Sequence, residues 1–240
     1  MTLEQVMTLL EVSKKSPIHM QVLFNVLMGL RRSEIIGVKY SDVDYINRTL
    51  KVQRQLGRKL GLRKEDVAPK TYTKQEIGLK TPSSYRVLPI PDYVFEAILE
   101  ERKTYELRRN RKGKEFQDLD YICCSSYGRP RSKDYHWPYY KELLSQNNLS
   151  NVTWHHLRST FCTILLKNDF NPKAVSKLMG HAKEIITVDV YGDRRNMIAD
   201  GVEELQPFLD EVLPGHEEEI DTSSEEFLID PDEFIGKTRI

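Results

Sequence analysis

"TWHHLRSTFCTILLK", Thr153 to Lys167, joins a polar opening to an apolar stripe. Leu157, Phe161, Ile164 and Leu165 recur at the three- and four-residue steps that line one helix face, so the stretch predicts a helix turned toward a core. His155 and Arg158 stand three residues apart and share another face, whereas His156 is rotated from His155 by about 100°. His155 is therefore the histidine able to act on the same group as Arg158, and His156 is expected at a packing or surface position. Taken alone, the pair reads more simply as a helix cap beside an arginine that meets a carboxylate.

The same alternation of capped helix and turn runs through the chain. "MTLEQVMTLLEV" opens with Thr2 and Gln5 spaced as a capping box, and "SPIHMQVLFNVLMGL" predicts a second helix with Ser16 as cap, Pro17 first, and an end near Gly29. A short helix is expected at "SEIIGV". "TLKVQ" and "SYRVLPI" alternate like paired strands, with a long basic connection, Arg54 to Gly78, between them. From Pro91 the residues Val94, Phe95, Ile98 and Leu99 predict a strong helix that continues into "RRNRKGK". "LDYICCS" reads as a short strand, and Tyr139 to Gln146 as a helix. "NPKAVSKLMGH" carries Asn171 as cap, Pro172 at the first helical position and a stop at Gly180. "GVEELQPFLDEVL" reads as a terminal helix.

At 240 residues, 39% hydrophobic and 30% charged, the chain has the composition of an ordinary soluble protein. No apolar run reaches a membrane span and no basic-then-apolar leader opens it, so a cytoplasmic location and no membrane partner are expected. Three cysteines, two of them the adjacent Cys123 and Cys124, suggest neither a disulfide framework nor a zinc site. The formal net charge of zero hides an asymmetry. Residues 201–240 hold thirteen acids and two bases, which leaves 34 bases against 23 acids in residues 1–200. A basic body suits a phosphate backbone, although such an excess also describes an ordinary solvated surface.

Other charged residues stand at element ends. "MGLRRSEI" delivers Arg31 after a helix, with Glu34 one turn on, where it can hold a guanidinium. "GLKTPSSYRVLPI" sets Lys80 before a strand, and "LMGHAKEIITVDVYGD" sets His181 at a helix end with Tyr191 ten positions later. Each is weak alone. Together, two arginines, a lysine and two histidines supply the donors that surround a phosphate, and a tyrosine supplies an oxygen nucleophile able to form a covalent phosphoryl enzyme. No metal cage and no P-loop is legible, so no cofactor and no metal are expected.

In this order "GLRRSE", "LKT" before a strand, "HHLRSTF", "LMGH" and Tyr191 resemble the catalytic domain of the tyrosine recombinases, the phage-integrase family, and most of all integrases of conjugative transposons and integrative elements. The resemblance spans Thr2 to Asp193. It implies an α+β fold, mostly helical, with a small antiparallel sheet. It also implies a site-specific recombinase that cleaves and rejoins DNA through a 3′-phosphotyrosyl intermediate. Arg31 and Arg158 match the arginines that clamp the scissile phosphate, with Glu34 orienting one of them. Lys80 matches the lysine that protonates the leaving 5′ oxygen, His155 the histidine assisting the nucleophile, His181 a phosphate-supporting position, and Tyr191 the nucleophile. Ser159 stands where many relatives carry another histidine.

The resemblance divides the chain into a catalytic domain, 1–200, and a C-terminal helix with an acidic tail, 201–240; the family's core-binding and arm-binding modules are expected upstream, outside this chain. Implied partners are double-stranded DNA attachment sites, other protomers in a tetramer on DNA with a monomer alone, and accessory excision or host DNA-bending factors. Type IB topoisomerase-like relaxation, a DNA-binding regulator without catalysis, and a phosphodiesterase releasing product to water are the alternatives. The acidic tail reads as docking on a neighbour, folding back on the basic face, or solubilising the chain.

Overall fold

Helix α2, His19–Val26, is the centre around which the other helices gather. All but its first residue are buried, Gln21 and Asn25 included, so it behaves as a core helix with no solvent face. The computed structural model describes residues 1–57, 75–79, 84–149 and 152–180. Helix α1, Leu3–Ser13, begins at the expected capping box: the Gln5 N–H donates to Thr2 Oγ1 at 3.2 Å and the Thr2 N–H to Gln5 Oε1 at 3.1 Å. It buries Val6, Leu9 and Leu10 and packs against α2. α2 itself starts two residues beyond the expected Pro17, because Ser16 to Ile18 form a turn in which the His19 N–H bonds the Ser16 carbonyl.

After the one-turn helix α3, Arg32–Ile35, the chain forms β1, Val43–Asp44, β2, Thr49–Val52, β3, Gln55–Gly57, β4, Gln75–Ile77, and β5, Arg86–Pro89. The expected pairing of "TLKVQ" with "SYRVLPI" is present: β2 runs antiparallel to β5, with Leu50 opposite Leu88, in a sheet of order β1-β2-β5. The connection read as a loop differs at its two ends, where β3 and β4 pair antiparallel as a separate ribbon. Such short strands were hidden because three residues cannot display a period. Arg54 fastens the ribbon by ion pairs to Asp42 and Glu76, and Glu76 also takes Lys39 at 2.5 Å and the Tyr121 hydroxyl at 2.6 Å.

Helix α4, Asp92–Lys112, buries Val94, Phe95 and Ile98 but leaves Leu99 partly exposed. The expected strand at "LDYICCS" is absent; only isolated bridges form there, Lys39 with Tyr121 and Cys124 with Pro130. Helices α5, His136–Gln146, α6, Trp154–Lys167, and α7, Pro172–Met179, complete the described fold. α7 has its Asn171 cap, its Pro172 at the first position and a left-handed Gly180 at its end, φ 63°. α6 packs on α2 and buries Leu157, Phe161 and Leu165, and the Asn25 side chain ties the two helices by donating to the Trp154 carbonyl at 2.9 Å. The helix expected at "GVEELQPFLDEVL" lies outside the described residues.

Candidate active site

The α2–α3 turn brings Arg31 to the start of α6. Gly29 makes the approach possible, with φ 60° and a backbone so close to its neighbours that a Cβ would lie 2.7 Å from the Phe161 ring and 2.9 Å from Met179 sulfur. Beside it opens a cleft of about 390 Å³. Leu30, Arg31 and Arg32 form one wall, His136 and Trp137 of α5 another, and Thr153, Trp154, His155 and Arg158 a third. Arg31, His155 and Arg158, which the sequence places 127 residues apart at the extremes, thus share one cleft. His155 and His156 are both exposed, but only His155 lines it.

Behind the cleft lies Glu34, 1% exposed. Its carboxylate accepts from Arg31 Nη1 at 2.7 Å, from the Arg31 N–H at 2.9 Å, and from Arg86 Nη1 and Nη2 at 3.2 and 2.9 Å. Burial works to raise its pKa, yet the bonds and charge of Arg86 and then Arg31 outweigh that and hold it below the usual carboxylate range. Glu34 is therefore a buried anion that holds the Arg31 side chain and backbone N–H. Arg31 completes its geometry by donating Nη2 to the Gly180 carbonyl at 2.5 Å, and Arg158 donates to the Gly29 and Met179 carbonyls. Burial first, then the neighbouring Arg31 charge, lowers the Arg158 pKa to about 10, which leaves it cationic at neutral pH.

Lys80, His181 and Tyr191 lie outside the described residues. The described chain reaches Leu79, one residue before Lys80, and Gly180, one residue before His181; the Gly180 carbonyl accepts from Arg31. Among the described residues no three His, Cys, Asp or Glu side chains gather where they could hold a metal ion.

Arg86 was read from the sequence only as part of a strand. A signal existed: on a strand it stands two residues before Leu88, on the side that Leu88 turns to the core. The aromatic wall was missed too. His136 stacks on Trp154 with ring centroids 4.1 Å apart, and burial lowers its pKa to about 4. Asn25 and Trp154 both line the cleft, and their buried Oδ1 and Nε1 atoms have no hydrogen-bond partner among the described residues.

Residues 1–196 match the model of the phage integrase family. A XerC-like tyrosine recombinase of Caldanaerobacter subterraneus subsp. tengcongensis is 28% identical over 166 residues, which cover 68% of this chain and 42% of that protein. The transposase of transposon Tn916 from Enterococcus faecalis is 28% identical over 178 residues, 71% of this chain and 41% of its own length. The chain thus spans about two fifths of the curated relatives it matches. Among solved structures, the Tn1549 transposon integrase in complex with transposon right-end DNA superposes with a TM-score of 0.61 at 23% identity, covering 85% of this chain and 64% of that one. XerA recombinase gives 0.56 at 17% identity, over 90% and 65%. Both show the same mostly helical catalytic fold.

Proposed function

The chain belongs to the phage integrase family, and from that membership we propose that it is the catalytic part of a site-specific recombinase that cuts and rejoins DNA by way of a 3′-phosphotyrosine. The observation that carries this reading is the convergence of Arg31, His155 and Arg158 on one cleft, with Glu34 buried behind Arg31. Two guanidinia offer N–H groups to the non-bridging oxygens of a phosphodiester, a fit that a single lysine charge does not reproduce.

In this reading the Tyr191 hydroxyl attacks phosphorus and loses its proton toward His155, since a phenol of ordinary pKa near 10 needs a base. The bond from phosphorus to the 5′ oxygen breaks, and Lys80 protonates that oxygen. Arg31, Arg158 and His181 stabilise the charge on the five-coordinate phosphorus, where one preorganised donor contributes about 3 kcal/mol. The 5′ hydroxyl of a second duplex then attacks the phosphotyrosine and returns the phenol. One P–O bond is made for each one broken, so no ATP is consumed. The reading assigns the catalytic domain to 1–200 and the terminal helix and tail to 201–240, with double-stranded DNA and further protomers as partners and the cytoplasm as location. Among the described residues no helix is long and apolar enough to cross a membrane.

A duplex nicked just beyond the scissile phosphate loses the short fragment that carries the new 5′ hydroxyl and so traps the adduct. Tyr191→Phe abolishes that adduct and keeps DNA binding; an adduct that persists in the variant refutes the nucleophile assignment. Resolution of a Holliday junction built from paired sites separates recombination from topoisomerase-like relaxation.

A further inference from the structure

Three arginines converge on the C-terminal end of α7, and they are not equivalent. A guanidinium has five N–H donors. Arg31 uses two of its side-chain donors among the described residues, on Glu34 and Gly180, and Arg158 uses two, on Gly29 and Met179. Arg86 uses four: Nε to the Leu178 carbonyl at 2.8 Å, Nη1 to Glu34 and to the Ser84 carbonyl at 3.2 and 3.0 Å, and Nη2 to Glu34 at 2.9 Å. Its side chain is 5% exposed, against 34% for Arg31. Arg158 is as buried, 4% exposed, but like Arg31 it lines the cleft, where Arg86 does not. Arg31 and Arg158 thus keep unused donors beside the cleft, and Arg86 is consumed by the protein.

What it consumes them on is specific. Leu178, Met179 and Gly180 end α7, and their carbonyls are among those a helix leaves without an internal partner, at the negative end of its dipole. Arg86 takes the first, Arg158 the second and Arg31 the third. Gly180 lies so close that a Cβ there would come 3.0 Å from Arg86 Nη1. Arg86 also grips both oxygens of Glu34, the carboxylate that aims Arg31. It therefore touches both supports of Arg31 and the helix end that supports Arg158.

We propose that Arg86 is a positioning residue for the phosphate-binding arginines: by joining β5, Glu34 and the end of α7, it fixes where Arg31 and Arg158 present their remaining N–H groups. The proposal rests on the recombinase reading for what those groups bind, while the positioning itself is a property of the free chain. A lysine at 86 keeps the charge but has a single ammonium, which cannot span Glu34 and Leu178 with Arg86's planar fork.

Arg86→Lys tests this in two ways. In the arginine-labelled chain, hydrogen bonds from both Nη atoms slow rotation about the Cζ–Nη bonds and keep the Nη signals of Arg31 and Arg158 separate; Arg31→Lys and Arg158→Lys assign them. In Arg86→Lys the Arg31 signals are expected to merge while the rest of the spectrum persists. On a nicked DNA substrate, adduct formation at saturating DNA is expected to fall tenfold or more with the half-saturating DNA concentration changed less than twofold. Unchanged Arg31 signals, or an adduct rate within twofold of the unaltered chain, overturn the proposal. So does a general collapse of the spectrum, which makes Arg86 a structural residue. If the unaltered chain forms no adduct, the recombinase reading fails, and the arginine signals still decide whether Arg86 positions its neighbours.

Discussion

Gly29 shows how much of the site depends on an atom that is missing. Its left-handed φ and the 2.7 Å that would separate a Cβ from Phe161 make two independent demands, and alanine violates both. Gly29→Ala is expected to destabilise the chain by about 2 kcal/mol or more, a fall in Tm of roughly 4–8 °C for a chain of this size, measurable by calorimetry. Because the Gly29 carbonyl accepts from Arg158, the substitution also disturbs the cleft, and adduct formation should drop by more than the stability loss explains. From the sequence, Gly29 is legible as the end of a helix. Its second role, letting α6 and the end of α7 approach, depends on Phe161 and Met179, which are distant in the chain.

Helix α5 carries the aromatic wall of the cleft, and its first residue makes the wall sensitive to pH. Burial and then the Arg32 charge lower the His136 pKa from 6.5 to about 4, against smaller upward contributions from the Lys133 backbone and Asp134. The unfolded chain therefore binds a proton near pH 6.5 that the folded chain refuses until about pH 4. Stability from this group is complete above pH 6.5 and is lost as pH falls toward 4, by up to about 3 kcal/mol. Urea unfolding across that window should show His136→Phe losing less stability on acidification than the unaltered chain; an identical slope would refute the assignment. The helices themselves were legible because their caps are local: Thr2, Asn171 and Gly180 act within a few residues of where they stand. The ribbon of β3 and β4 was not, since its hold on the body comes from Arg54, Glu76, Lys39 and Tyr121, drawn from four separate segments.

Over the whole molecule the charge is divided, with the excess of bases in residues 1–200 and thirteen acids in residues 201–240. If the acidic segment folds back on the basic face, it competes with phosphate for the same cations. Deleting residues 215–240 should then tighten non-specific DNA binding and steepen its dependence on salt, because more counterions are released per complex. Equal affinity with and without the segment, measured by fluorescence anisotropy at two salt concentrations, would leave docking on a neighbour or a solubilising role.

By itself the sequence determined the helix periods, the caps of α1 and α7, the β2–β5 pairing and the types and order of the reactive side chains, because each follows from spacing along a few residues; the Ser16 cap expected for α2 did not form. It also singled out His155 over His156, a matter of about 100° around one helix. Only the tertiary structure decided that Arg31 and Arg158 keep donors open to the cleft while Arg86 spends its own on Glu34 and α7. That distinction depends on burial and on carbonyl partners up to 149 residues away, and spacing along a chain carries no record of either.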